Sequence, residues 1–372
     1  MPLPPLGMAI YPVTNMSRGS YAVKPVRSCT TTSSTSTSSA SSSASSSPST
    51  ASIQITDTTL DIVSIQRLIR AVFRSSKITV RQVEVFQGQL NQVYLTTLAD
   101  GSSVILKCPP AHNIRLLRNE KHTLDTERKT LELLGQYTRI PVPRLVDYDC
   151  HGESLGRPFL MTSHMPGRRL SELAPYLTAS ERSTIDHTTG AYVRALTALS
   201  APQFGLTHRV FAKKGSNTWR EAFLALLEAT LRDAEDMFVN IHPESIRYWI
   251  GKHAHHLDKV TEPRLVAPNV CNPDNILIDE QTKQVVGLVG FSDILWGDPL
   301  MSGGMADASP AFLAGLGERD PRTGAESVRL LIYRTYRATV RLVAHHYRPH
   351  DGTNELDARR ELSGVLNELA AV

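Results

Sequence analysis

The sequence predicts an α+β fold in two lobes, a small β-rich one followed by a larger helical one. Three observations carry this. Alternating apolar residues run on either side of a glycine-containing turn at residues 99–102. A single amphipathic helix follows before a Pro-rich break at Ile140-Pro141-Val142-Pro143. Past Gly167 the apolar period lengthens to that of a helix and stays so, with one strand-rich interruption near residues 276–289. Strand and helix differ in period, two against 3.6 residues, and the switch is visible directly in the spacing.

Order is expected to begin near Ile53. Residues 30–52 are almost entirely Ser, Thr and Ala, with too little apolar surface to offset the entropy of ordering them, so residues 1–52 are expected to be a disordered leader. Ile62, Ile65, Leu68, Ile69 and Val72 then recur every three or four residues, as on a helix. Val83 and Val85 alternate, Gly88 interrupts, and Val93, Leu95 and Thr97 alternate again. Ala99-Asp100-Gly101-Ser102 is a hairpin turn, and Val104-Ile105-Leu106-Lys107 is the return strand. A helix through Glu127, Leu131 and Leu134 ends before Pro141, since a proline disfavours helix in the residue before it. In the second lobe Phe223, Leu226, Leu227, Leu231, Ala234 and Phe238 form an apolar stripe, with Thr218 and Glu221 as its capping pair. Short strands are expected at Ile276-Leu277-Ile278 and Val285 to Val289. These spans give a first lobe of residues 53–165, including the connector, and a second of 166–372.

Charge excludes more than it identifies. Lys and Arg number 40 against 36 Asp and Glu, too small an excess for a dedicated nucleic-acid binder. No run of about 18 uncharged apolar residues exists, so no membrane span is expected. The four cysteines, at 29, 108, 150 and 271, are far apart and without metal-type spacing, which predicts reduced thiols. Residues 1–29 are acid-free with three basic residues, as in a mitochondrial transit peptide, but four early prolines spoil an amphipathic helix. The expectation is a cytoplasmic protein, with mitochondrial import as the alternative. Arg334, Arg337 and Arg341 are expected on a solvated helix face, and Trp219, Trp249 and Trp296 in the core.

Three segments carry chemistry. Lys107 ends an apolar strand twenty residues before Glu127, an arrangement able to grip nucleotide phosphates. Asn272-Pro273-Asp274-Asn275 is turn chemistry entering an apolar strand, where Asn275 could also ligate a metal. Gly287-Leu288-Val289-Gly290-Phe291-Ser292-Asp293, then Trp296-Gly297-Asp298-Pro299, is a strand opening into a loop that presents carboxylates.

With Pro158-Phe159-Leu160-Met161 leading into Met165-Pro166-Gly167, these segments in this order resemble the aminoglycoside-phosphotransferase and choline-kinase branch of the protein-kinase-like fold. The resemblance runs from about Val85 to the C-terminus. It implies a cleft for ATP and a small hydroxylated or amine-bearing molecule, with Gly88, Lys107, Glu127, Ser163 and Met165 on the nucleotide side. It also exposes two departures. The family's catalytic loop reads His-x-Asp, then four residues, then Asn. Counting back from Asn275 puts Val270 at the aspartate, or Asn269 if one residue is inserted. The metal-binding aspartate of the later motif is replaced by Gly290. Asn275 and Asp293 remain as weak candidates for a metal, so full Mg²⁺ binding is not expected. The resemblance and its departures therefore predict a degenerate, pseudokinase-like member that binds a nucleotide or small metabolite, with an accessory role in small-molecule, including secondary-metabolite, biosynthesis. The alternatives are an active phosphotransferase with relocated acids, and a non-enzymatic scaffold that binds another protein.

Overall fold

The computed structural model describes residues 60–88, 90–111, 114–317, 323–348 and 355–372. The expectations for a disordered leader and its destination lie outside these residues.

Helix α1 (Ile62–Val72) begins at Asp61, whose carboxylate accepts the Ser64 N–H at 2.6 Å. Its Ile65, Leu68 and Ile69 are buried against a five-stranded antiparallel sheet. The strands are β1 (Val80–Gln87), β2 (Gln92–Leu98), β3 (Ser103–Cys108), β4 (Leu145–Asp149) and β5 (Phe159–Ser163), in the order β1-β2-β3-β5-β4. Tyr94, Leu106, Phe159 and Met161 on the sheet's inner face complete this core, each worth about 1.5–3 kcal/mol when fully buried. Between β2 and β3 the turn closes as expected, with Gly101 at φ 85°, a backbone that disfavours a side chain. Helix α2 (Thr123–Tyr137) lies between β3 and β4 in the chain and carries Glu127.

The second lobe holds the larger core. It begins with β6 (Arg168–Arg169) and α3 (Leu170–Leu173), followed by α4 (Ala179–Thr197). Next come β7 (Gly205–Leu206), α5 (Thr207–Phe211), α6 (Trp219–Asp236) and α7 (Pro243–His253). Strands β8 (Arg264–Val266), β9 (Ile276–Ile278), β10 (Val285–Leu288) and β11 (Leu295–Gly297) then form two three-stranded sheets with the earlier short strands. The chain ends in α8 (Pro310–Leu316), α9 (Gly324–Tyr347) and α10 (Glu355–Ala370). Helices α4 and α8 cross so closely that a Cβ at Gly315 would stand 1.9 Å from the His187 carbonyl oxygen.

Four expectations change. Phe238 does not extend the α6 stripe: the helix ends at Asp236, and Phe238 is 94% exposed in a left-handed turn at φ 51°. Trp219 and Trp296 are in the core as expected, but Trp249 is only partly buried at its edge. Cys108 and Cys271 are free thiols, whereas Cys150 is disulfide-bonded, because separation along the chain says nothing about proximity in the fold. The α9 arginines form a solvated face only in part: Arg334 and Arg341 stay accessible to solvent and Arg337 does not follow them. Arg334 and Arg341 pair with Glu368 and Glu361 of α10 at 2.9 and 2.6 Å, and Arg337 turns inward.

One buried network joins the strand-and-loop region to α9. Asp298 accepts from Arg329 Nε at 2.7 Å, from the Tyr333 hydroxyl at 2.7 Å and from the Leu300 N–H at 3.1 Å. Tyr333 in turn accepts from Trp219 Nε1 at 2.8 Å. Removing the acid would strand the Arg329 charge in the interior. Asp298→Ala is therefore expected to cost about 3–5 kcal/mol, read by urea denaturation. Arg360→Ala, at an exposed α10 pair, should change stability by less than about 1 kcal/mol in the same assay.

Candidate active site in the interlobe cleft

Lys107, near the end of β3, and Glu127 on α2 meet at 2.6 Å. The carboxylate is buried and the ammonium retains some access to solvent. Side chains alternate between the faces of β3, which places Val104, Leu106 and Cys108 in the core and Lys107 on the opposite face. The second Glu127 oxygen, Oε2, is buried with no partner, so the pair is not saturated. Gly88 lies in the connection between β1 and β2, where a Cβ would come within 2.5 Å of the Asn91 carbonyl oxygen; close backbone approach is what that position requires.

The lobe connector follows β5. Ser163 closes the sheet at its edge: its N–H donates to the Arg144 carbonyl at 2.8 Å and its hydroxyl accepts the Arg144 N–H at 2.9 Å. Met165 reaches over the second lobe and fills the space above Gly287, where a Cβ would meet its Cε at 2.8 Å. Gly167 then turns at φ 124° against Ile278 and Val286.

The loop before β9 settles which residue faces the cleft. Val270 is 2% exposed and packed in the second-lobe core, so it presents nothing to a ligand. Asn269 does face outward, and the Asn275 amide donates to its carbonyl at 2.9 Å. Of the two residues, Asn269 is the one exposed on this loop. Asn269 Nδ2 donates to Asp293 Oδ2 at 2.7 Å, bringing together residues 24 apart in sequence. Asp293 is half-buried at the turn after Gly290, and removal from water pushes its carboxyl up to about 7, helped by the nearby Glu127 charge and opposed by Arg337 and the Asn269 bond. Asp274 is tied instead to the Ser171 hydroxyl, and Asp298 to the buried α9 network, so of these acids only Asp293 serves the cleft.

Gly290, at φ 81°, tests the fit of a metal. A Cβ there would lie 2.6–2.7 Å from the Asn275 side-chain atoms. The Asn275 amide fills the space a metal-binding carboxylate would need, and its Nδ2 is committed to the Asn269 carbonyl. These residues do not fit a divalent cation held between Asn275 and residue 290. On the nucleotide side Lys107 keeps access to solvent and could meet a phosphate, whereas the unpartnered Glu127 oxygen is buried behind it.

Below this loop a cavity of about 350 Å³ is lined by Asn269, Cys271, Asn272, Ser309, Phe312 and Arg337 among others. Asp186 also borders it, paired with Arg182 at 3.0 Å and accepting the Ser309 hydroxyl at 2.8 Å. This cavity adjoins Asn269, so the loop separates a lysine-bearing cleft from a polar, metabolite-sized hollow. Its arginine floor was hidden in the sequence by the stripe pattern of α9.

The model of the phosphotransferase enzyme family matches residues 81–320. The chain belongs to that family. The fold agrees with solved members. Aminoglycoside phosphotransferase APH(4)-Ia, in a ternary complex with AMP-PNP and hygromycin B, is 15% identical with a TM-score of 0.58, the match covering 83% of this chain and 100% of that one. ADP-bound APH(2'')-Ib is also 15% identical, with a TM-score of 0.54 and coverage of 82% and 97%. At these identities the likeness concerns the fold. A curated Arabidopsis thaliana protein, named probable acyl-CoA dehydrogenase IBR3, is 26% identical over 147 residues, or 37% of this chain. The match spans only 17% of that relative's length. As in the family fold, a five-stranded sheet with one packed helix caps a helical lobe, and no helix among the described residues is long and apolar enough to cross a membrane.

Two outcomes are expected. Gly290→Asp forces a side chain into a left-handed backbone and against Asn275, and should destabilise the fold by about 1–3 kcal/mol in urea denaturation. The second concerns Asp293. In the unfolded chain it ionises near 3.8, but in the fold it keeps its proton up to about 7. The native state therefore binds the extra proton between these values, and this site's contribution to stability falls as pH rises through the window. Asp293→Asn removes that loss, so its Tm relative to the parent should climb from pH 4 to pH 7 and then level off. A constant difference would place the raised titration elsewhere.

Proposed function

We propose that this chain is a nucleotide-binding family member whose phosphoryl-transfer machinery is eroded. The observation that carries this reading is the Asn275 amide packed into the space beside Gly290, while the Lys107–Glu127 pair is kept at 2.6 Å. In the proposal the first lobe, residues 53–165, grips ATP. Lys107 contacts the phosphates, Glu127 holds Lys107, the Gly88 connection covers the phosphates, and Ser163 to Met165 border the adenine. The second lobe, residues 166–372, presents a small metabolite. Where the family has a proton-accepting carboxylate, Asn269 offers an amide that cannot accept a proton. A positioned general base contributes about 10²–10⁴ in rate, so its loss alone takes turnover far below that of an ordinary kinase. An accessory role in small-molecule, including secondary, metabolism fits this chemistry, and the partial likeness to a protein named as an acyl-CoA dehydrogenase supports a metabolic setting. A cytoplasmic location is part of the same proposal.

A second reading rests on one contact. Asp293 is bonded to Asn269 and titrates near 7, the range in which a general base works well. In that reading Asp293 takes the acceptor proton from one loop further on, and transfer survives.

One pair of measurements separates the two. Under the leading reading, ATP raises the Tm of the purified chain with or without chelator, and Lys107→Ala abolishes the shift while circular dichroism stays native. At 100 times its dissociation constant the nucleotide adds about 2.7 kcal/mol, several degrees for a chain of this size. ATP hydrolysis should be undetectable. Hydrolysis that needs Mg²⁺ and disappears in Asp293→Asn would establish the second reading instead.

A further inference from the structure

Arg337 is the feature that neither reading uses. It lies on α9 between Arg334 and Arg341, which are both paired with α10. Arg337 instead lines the cavity beside Asn269. Its Nη2 donates to the carbonyls of Met301 and Ser302 at 2.5 and 3.1 Å. Its Nε is buried without a partner.

The acids that face it are all engaged or distant. Asp293 holds the Asn269 amide and keeps its proton to about 7. Glu361 is paired with Arg341 at 2.6 Å, and Asp186 with Arg182 at 3.0 Å. Asp307 sits exposed at the rim. Among the described residues none of these carboxylates forms an ion pair with Arg337. Burial accordingly pulls its pKa down, against the weak pull of Asp293, Cys271, Asp307 and Glu361.

A buried guanidinium without a counter-charge is costly, and two backbone carbonyls do not neutralise it. They take both hydrogens of Nη2, and with them one member of each two-nitrogen edge, leaving Nη1 to give an oxyanion a charge-assisted hydrogen bond. We propose that the cavity beneath Asn269 takes a small molecule bearing a carboxylate or phosphate, held by Arg337, with the rest of the molecule directed toward Asn269. This deepens the functional reading above, since it places the metabolite in the second-lobe cavity, but it requires neither bound ATP nor phosphoryl transfer. The lining also holds Asp186, which is paired with Arg182, and Asp307 at the rim; it is the guanidinium of Arg337, without an ion pair, that points to an anionic metabolite.

A matched series of probes tests it by saturation-transfer NMR and calorimetry on the full chain: glycerol, glycerate, glycerol 3-phosphate and spermidine. Binding of glycerate or glycerol 3-phosphate in preference to glycerol and spermidine is expected, and which of the two binds tighter assigns the oxyanion. Arg337→Gln should weaken the anion about tenfold to a hundredfold, the span of a charge-assisted hydrogen bond. Arg337→Lys keeps the charge but not the planar donors, and its affinity should fall between those of the parent and Arg337→Gln. Lys107→Ala should leave anion binding intact while abolishing the ATP shift, which separates this site from the nucleotide cleft. Failure of the ATP shift alone would thus overturn the nucleotide reading and not this one. Equal binding of glycerol, tighter binding of spermidine, no anion binding at all, or loss of the anion in Lys107→Ala would overturn the proposal. If Arg337→Gln fails to fold, the contrast among probes on the parent chain and the Arg337→Lys variant still decide it.

Discussion

The buried Asp298 carboxylate is the constraint around which the second lobe is arranged. A carboxylate removed from water must find donors, and here they come from the guanidinium of Arg329, the hydroxyl of Tyr333 and the N–H of Leu300. The first two are four residues apart on α9, so the contact fixes that helix in rotation as well as position. With α9 so oriented, Arg337, one turn beyond Tyr333, faces the cavity. The same acid begins the short turn through Pro299 to Met301, whose last carbonyl Arg337 then binds. One carboxylate thus sets the floor of the hollow and the course of the segment beside it.

Gly290 and Asn275 fit one another. The glycine lets the backbone take a left-handed turn, and the Asn275 amide fills the room a side chain there would need. The amide then fastens the Asn269 carbonyl, and the Asn269 side chain fastens Asp293. The result is a closed chain of hydrogen bonds from β9 to the loop after β10. Each member supports the next, which is why a single restored acid at Gly290 would disturb three contacts at once.

Much of the first lobe was legible because its information is local. Alternation at Val93, Leu95 and Thr97 and at Val104 and Leu106, with Gly101 between, specifies a hairpin without reference to anything distant. The Lys107–Glu127 pair was readable from the same register. The second lobe was harder. Strands β7, β8 and β11 are two or three residues long and pair across tens of residues, too short for periodicity to register. The α9 arginines share one stripe at three- and four-residue intervals, yet two of them pair with α10 at the surface and the third turns onto a loop, so sequence could not tell the inward one from its neighbours. Asn269 and Val270 are indistinguishable in sequence because a one-residue insertion carries no compositional mark; burial tells them apart, with Val270 in the core and Asn269 exposed. Phe238 fits the helical stripe but falls two residues past the end of the helix at Asp236.

The approach to α2 is moored to the large lobe. Before the helix begins, the Arg118 N–H donates to Asp233 on α6 at 3.0 Å, and Glu120 takes both arms of Arg348, just past α9, at 2.6 and 2.8 Å. His122, at the start of α2, stacks on His208 of α5 with ring centroids 4.0 Å apart. Glu127 is thereby tied to the second lobe through the approach to its helix, although that helix also packs on β4 and β5 and the lysine it holds belongs to the first-lobe sheet. The ion pair stands where the two lobes share one helix, so a motion that parts them would load the pair and these moorings together.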